Sequence, residues 1–275
     1  MTIKLIALDL DGTTINNDRV ISERNRRALQ KAADKGVNIV IATGRPFCAL
    51  PKDVFEMDSV RYVLTSNGAS ITDLKENRSF YKNCLSELAT EKSVELLKQY
   101  DYIIECFVNG VAYIDGPYYR KVEKTGISFR DVEYILNTRT PIDDIYGFML
   151  ENKGNVENIN VNFEDMSHKP IMKERLLTLP ETTITSSFPH NLEIGGATTS
   201  KADALIQMGK LLGIGTEEMM AAGDSPNDIE MLKTVGLPVA VGNAEEEVKA
   251  VAKYIAPTNH EDGVADAVER FVLAE

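Results

Sequence analysis

The sequence predicts an α/β fold: a doubly wound, Rossmann-like parallel-sheet core with an inserted α+β cap domain. Three observations predict it. Almost unbroken apolar runs at residues 3–8, 37–42 and 61–65 alternate with helical stretches, and continuous apolar strands belong to parallel sheets covered on both faces. Each run stops abruptly in polar residues. The pattern lapses from about Asn83 to about Pro189 and returns after His190. The expected division is therefore 1–83 with 190–275 for the core and 84–189 for the insertion.

The elements follow in order. Residues 3–8 form the first strand, ending in Asp9-Leu10-Asp11-Gly12-Thr13-Thr14. Ser22 is suited to cap a helix that carries Ala28, Leu29, Ala32 and Ala33 and ends near Gly36. The strand 37–42 runs into Thr43-Gly44-Arg45-Pro46, and the strand 61–65 into Ser66-Asn67-Gly68. Within the insertion, Asn109-Gly110 marks a hairpin between ECFV and VAYI. Helices are expected at 87–99 and 156–177, and strands at 102–107, 146–150 and 182–187. The returning core pattern has a helix at 201–212, a short strand MMAAG at 219–223, and Pro226 in the first turn of a helix reaching about Val235. A strand at 238–243 and a helix at 245–252 follow.

Composition narrows the function. The 275 residues carry 42 acidic and 30 basic side chains, a net charge of −12. That balance argues against nucleic acid or an anionic membrane as partner. No apolar stretch is long enough to cross a bilayer, and the N-terminus begins directly with a strand-like run, so no signal peptide is expected. Cys48, Cys84 and Cys106 are widely spaced and odd in number; neither a disulfide framework nor a zinc pattern follows, and a cytoplasmic protein, monomer or homodimer, is expected. His168, His190 and His260 form no pattern.

The chemistry lies at the strand ends. In open α/β sheets ligands bind beyond the carboxyl ends of the strands. Asp9 and Asp11 on the first strand, Thr43-Gly44 on the second and Asp224 with Asn227-Asp228 on a later one would converge there, with Lys201 at a helix start. Alone, each has a bland reading. Asp-x-Asp-Gly is often a turn, Thr-Gly a cap, Asp-Ser-Pro a helix start, and a lysine a solvated surface group. A calcium loop would need a closing Glu that is missing. Together they make a set of carboxylates that is hard to explain unless a cation shares it, and hard oxygen ligands suit Mg²⁺.

In this order the motifs resemble a known family. DLDGT (9–13), IATGRP (41–46), the lysine of TTSKADAL (Lys201) and GDSPND (223–228) look like the four motifs of the haloacid dehalogenase superfamily of aspartate-nucleophile phosphatases. TSNGA (65–69), VGNA (241–244) and EDGVADAVE (261–269), with the insertion after the third strand, resemble its Cof-type branch. The resemblance covers both core segments and is a matter of layout alone through the insertion. Thr14, where many relatives have an apolar residue, and the irregular IGGATTSK (194–201) depart from the pattern.

The expected activity is hydrolysis of phosphate monoesters of small metabolites such as sugar phosphates. An anionic nucleophile approaching a phosphate ester needs charge neutralisation, which Mg²⁺ held by Asp9, Asp224 and the Asp11 carbonyl would supply. Asp9 would attack phosphorus, and Asp11 would act as acid and then base. Thr43, Gly44, Lys201 and Asn227 would hold phosphoryl oxygens, and Asp228 would orient Lys201 or a metal-bound water. By resemblance, the Leu10 amide also faces the phosphate. An acid at Asp11 favours phosphoryl transfer over dehalogenation, because a halide leaves without a proton. A sugar phosphomutase could use the same two aspartates. The insertion shows no basic grouping beyond Lys121, Lys124 and Arg130, which read as a solvated face. A non-catalytic phosphate-binding protein would be expected to have lost one of Asp9, Asp11, Lys201 or Asp224; all four are present.

Overall fold

The structure is a computed structural model that describes residues 2–274. Its strands are β1 (Leu5–Leu8), β2 (Asn38–Ala42), β3 (Val60–Thr65), β4 (Ser70–Asp73), β5 (Arg78–Lys82), β6 (Ile103–Val108), β7 (Val111–Asp115), β8 (Arg139–Ile142), β9 (Val156–Asn162), β10 (Thr182–Thr185), β11 (Asn191–Gly196), β12 (Met219–Gly223), β13 (Leu237–Ala240) and β14 (Tyr254–Ile255). They form two sheets in two compact units. One unit takes the chain up to Gly44, then Pro51–Tyr81, then Ser200 onward. The other takes Arg45–Leu50 and Lys82–Thr199.

The first unit holds an eight-stranded sheet in the order β14-β13-β12-β1-β2-β3-β4-β5. Strands β14 to β3 are parallel, and the order is that of a doubly wound sheet. The apolar runs are buried on both faces; every residue of β1 and β12 is buried. The sheet continues past β3 with two strands that the sequence reading did not place, and β4 pairs antiparallel to β3. Helix Glu23–Asp34 is capped as expected, the Ser22 hydroxyl accepting from the Asn25 amide at 3.1 Å. Helix Lys201–Leu212 begins at Ser200, whose hydroxyl accepts from the Asp203 amide, and ends at Gly213 in the left-handed region (φ 67°).

The second unit holds a six-stranded sheet in the order β10-β11-β9-β6-β7-β8, antiparallel except where β7 meets β8. Asn109 and Gly110 both have positive φ, 50° and 78°, as the hairpin's tight turn requires. Two expectations here are corrected. Residues 156–162 are strand β9, and only His168–Leu176 is helical within the stretch read as one helix. The run V-E-N-I-N-V-N alternates: Ile159 and Val161 enter the apolar core, while Asn158, Asn160 and Asn162 occupy the other face. Conversely, the stretch read as a strand at 146–150 lies in helix Ile145–Glu151, with Asp144 capping it and Ile145 and Met149 buried one turn apart.

The expected border after residue 189 also differs from the observed division. Strand β11 follows it and pairs with β9 and β10 in the six-stranded sheet. Segment Arg45–Leu50 likewise packs on the β6–β7 hairpin, through Cys48 N–H to the Gly110 carbonyl at 2.8 Å. Basic residues distant in sequence gather in this unit as well. Arg130 and Arg139 lie over the Tyr134 ring at 4.4 and 4.8 Å, but Arg139 is fully buried against Glu105, in a two-bond ion pair. Lys121 pairs with Glu164 at 3.0 Å on the exposed face. Among the described residues no helix is long and apolar enough to cross a membrane.

Candidate active site

Strand β1 lies between β12 and β2, with Leu8 opposite both Ala222 and Ile41. Asp9 therefore leaves the sheet beside Gly223-Asp224 on one side and Ala42-Thr43 on the other. Its amide donates to the Ala222 carbonyl at 3.0 Å, and the Thr43 amide to the Leu64 carbonyl at 2.9 Å. All these strand ends meet in the first unit.

Lys201 joins this group through its side chain. It is the first residue of its helix and wholly buried. Its ammonium lies 2.6 Å from Asp9 Oδ1 and 2.7 Å from Asp228 Oδ1. The other Asp228 oxygen accepts from the amides of Asp224 and Ser225, at 3.0 and 3.1 Å. Asp228 thus fixes both the lysine and the turn that presents Asp224. Two hydroxyls hold Asp224: Thr13 Oγ1 donates to Oδ1 at 2.6 Å and Ser225 Oγ to Oδ2 at 3.0 Å.

Carboxylate oxygens of Asp9, Asp224 and Asp228 lie within 4.8 Å of one another. Burial pushes the Asp9 carboxyl well above the usual carboxylate range; Lys201 opposes this and Asp228 and Asp224 add to it. Burial likewise raises Asp224, with Asp228 adding to the rise and Thr13 and Ser225 opposing it. Burial works against the Lys201 ammonium, yet Asp228 and Asp9 outweigh it and the lysine stays protonated far up the pH scale. This set of close, partly uncompensated anionic oxygens fits a hard divalent cation.

The loop after Asp9 is shaped by a close approach. Gly12 has φ 80°, and a Cβ there would stand 2.5 Å from Asp224 Oδ2. Leu10 is buried, and its carbonyl accepts from the amides of Thr13, Thr14 and Ile15. Asp11 is exposed on this loop. Thr43 is buried, and its carbonyl accepts from the Asn67 amide at 3.0 Å. The Asn227 carboxamide donates to Asn67 Oδ1 at 3.0 Å, and Gly44 leaves room for that same oxygen. Gly44, Asn67 and Asn227 therefore share one corner of the site.

The structure brings Asp9, Leu10, Asp11, Thr43, Gly44, Lys201, Asp224, Asn227 and Asp228 into this unit. Several others were missed. Thr13 and Ser225 stand inside the quoted motifs, but their bonds to Asp224 could not be read there. Asn67 carried only a resemblance. Asn25, Asn243 and Asn259, which grip the loop after Asp9, had no signal beyond VGNA and the neighbourhood of EDGVADAVE.

The sequence profile of the haloacid dehalogenase-like hydrolases matches residues 6–268. The chain belongs to this family. It is 34% identical over 271 residues to the 5-amino-6-(5-phospho-D-ribitylamino)uracil phosphatase YcsE of Bacillus subtilis, covering 98% of this chain and 96% of that one. It is 30% identical over 287 residues to the phosphatase YwpJ of the same organism, covering 98% and 100%. Among solved structures, a haloacid dehalogenase-like hydrolase from B. subtilis superimposes with a TM-score of 0.85 at 28% identity, covering 98% of this chain and 100% of that one. Another from Bacteroides thetaiotaomicron gives 0.80 at 30%, covering 98% and 99%. This haloacid dehalogenase-like hydrolase is a phosphatase of the Cof-type branch.

Proposed function

We propose that the chain is a Mg²⁺-dependent phosphatase that hydrolyses phosphate monoesters through an aspartyl-phosphate on Asp9. The observation that carries this reading is the buried Lys201 held between Asp9 and Asp228, beside an Asp224 whose two oxygens are already aligned by hydroxyls. Asp9, Asp224 and the backbone carbonyl of Asp11 would hold the ion, which would neutralise charge between nucleophile and phosphate ester. Asp228 serves as the orienting group for Lys201.

The chain's own residues supply the rest. A carboxylate oxygen of Asp9 attacks phosphorus while the bond to the leaving oxygen breaks. Asp11, two residues on and exposed, gives that oxygen its proton and then takes one from the water that hydrolyses the acyl-phosphate. Lys201, Thr43, the amides of Leu10 and Gly44, and Asn227 hold the phosphoryl oxygens; Asn67 orients Asn227. The second unit, which we assign as the cap, would exclude water and select the leaving group. The relatives named for a ribitylamino-uracil phosphate favour a polyol phosphate as substrate.

A panel of phosphorylated metabolites assayed for released phosphate with Mg²⁺ tests this. Polyol and sugar phosphates should release phosphate steadily with no bisphosphate activator. A hexose 1-phosphate, given a trace of its bisphosphate, should yield free phosphate; accumulation of the 6-phosphate with no free phosphate would replace the hydrolase with a mutase.

A further inference from the structure

The loop that follows Asp9 leaves the eight-stranded sheet; isolated bridges pair Asp11 with Ile15 and Ile15 with Ile21, and holding the loop against the rest of the fold takes bonds to its carbonyls from outside it. Three asparagines meet that need. Asn243 Nδ2 donates to the Gly12 carbonyl at 2.8 Å, Asn25 Nδ2 to Thr14 at 3.4 Å and Asn259 Nδ2 to Ile15 at 2.9 Å. Two of the carboxamide oxygens then accept amides from the C-terminal segment: Asn243 Oδ1 from Asn259 N–H at 2.9 Å, and Asn25 Oδ1 from Ala265 N–H at 2.8 Å. The Thr14 hydroxyl completes the arrangement by donating to the Asp9 carbonyl at 2.6 Å, in a fully buried position.

We propose that Asn25, Asn243 and Asn259 form a carboxamide clamp that positions the Asp9–Asp11 loop by tying it to residues 259–265, and that they are positioning residues for phosphoryl transfer. Each side chain donates to the loop, and Asn25 and Asn243 also receive from the C-terminal segment. No aspartate or aliphatic residue can do both. Asn25 and Asn259 are buried, which removes the competition of water for these bonds. The loop must carry nucleophile and acid two residues apart in fixed geometry. A displacement of the order of 1 Å in such a group can cost about 100-fold in rate. In this reading Thr14, a departure from the family pattern, is a further tie to the backbone of Asp9.

The inference rests on Asp9 and Asp11 being the reacting groups, so its test includes a readout that does not depend on turnover. Asn259→Asp keeps the shape and removes the donor. Asn243→Ala, at an exposed position, covers the case in which Asn259→Asp does not fold. Amide hydrogen exchange at residues 13–15 should rise in both variants while exchange in β1, β2 and β12 stays slow. With Mg²⁺ and a phosphate monoester, kcat should fall about 10- to 100-fold with KM changed by less than about threefold. Wild-type exchange at residues 13–15 in a folded variant would overturn the clamp. So would a loss of kcat that merely tracks a fall in thermal midpoint. If the wild type releases no phosphate at all, the phosphatase reading fails, while the exchange measurement still decides whether the clamp holds the loop.

Discussion

The Lys201 ammonium lies 2.6 Å from Oδ1 of Asp9, although 192 positions separate them in the chain. The same nitrogen lies 2.7 Å from Asp228, and all three side chains are buried. One cation here compensates two carboxylates, with Asp224 close by.

Removing that cation should cost more than a surface ion pair would. Lys201→Ala leaves Asp9 and Asp228 buried and unpaired, and loss of one partner from a buried pair costs about 3–5 kcal/mol. Denaturant unfolding of the metal-free protein should show a loss of that size, part of which Mg²⁺ restores. A loss below about 1 kcal/mol, in the range of exposed pairs, would mean that the contact does not form in solution.

The raised carboxyls make metal binding pH-dependent. A carboxyl whose pKa is higher folded than unfolded holds its proton more tightly in the folded state. In metal-free protein, the stability contributed by Asp9 and Asp224 is therefore greatest in acid. It is lost as pH rises from about 4, the unfolded value, through the folded one. Lys201, raised by its partners, contributes throughout this range. A divalent ion needs the ionised forms, so the rise in thermal midpoint on adding Mg²⁺ should be larger at pH 7.5 than at pH 5. Equal rises at both would exclude these carboxylates as ligands.

Asp9 and Asp11 should separate by leaving group. Asp9→Asn should abolish phosphoryl transfer. Asp11→Asn should retain Mg²⁺ binding, measured calorimetrically, and lose proportionally less rate on an aryl phosphate than on an alkyl phosphate, because a good leaving group needs little protonation. Equal losses on both substrates would remove Asp11 as the acid.

Ca²⁺ should support turnover poorly compared with Mg²⁺. It prefers longer bonds and more ligands, which would let Asp9 chelate with both oxygens and leave none to attack. Phosphate release that persists in excess chelator would refute metal dependence.

The central strands, the helix start at Ser22 and the helix beginning at Lys201 were legible in the sequence. Their signals are local. An apolar run buried on both faces, a serine before a helix and a carboxylate at a strand end each depend on near neighbours along the chain. Strand β9 and helix Ile145–Glu151 were misread because a short run of mixed or apolar residues suits either period until the tertiary structure decides which face is covered. The border after β11 was missed for a related reason. Strand pairing with β9 is non-local, and no composition change announces it. Within the site, the sequence named Asp9, Lys201, Asp224 and Asp228 but not how their charge is divided. That depends on burial and on distances of about 3 Å across the fold, as do the hydroxyls of Thr13 and Ser225 on Asp224. The asparagines that grip the loop are the clearest case of what only the tertiary structure decided. A carboxamide is an ordinary surface group until folding sets its two ends against a loop carbonyl and a distant amide.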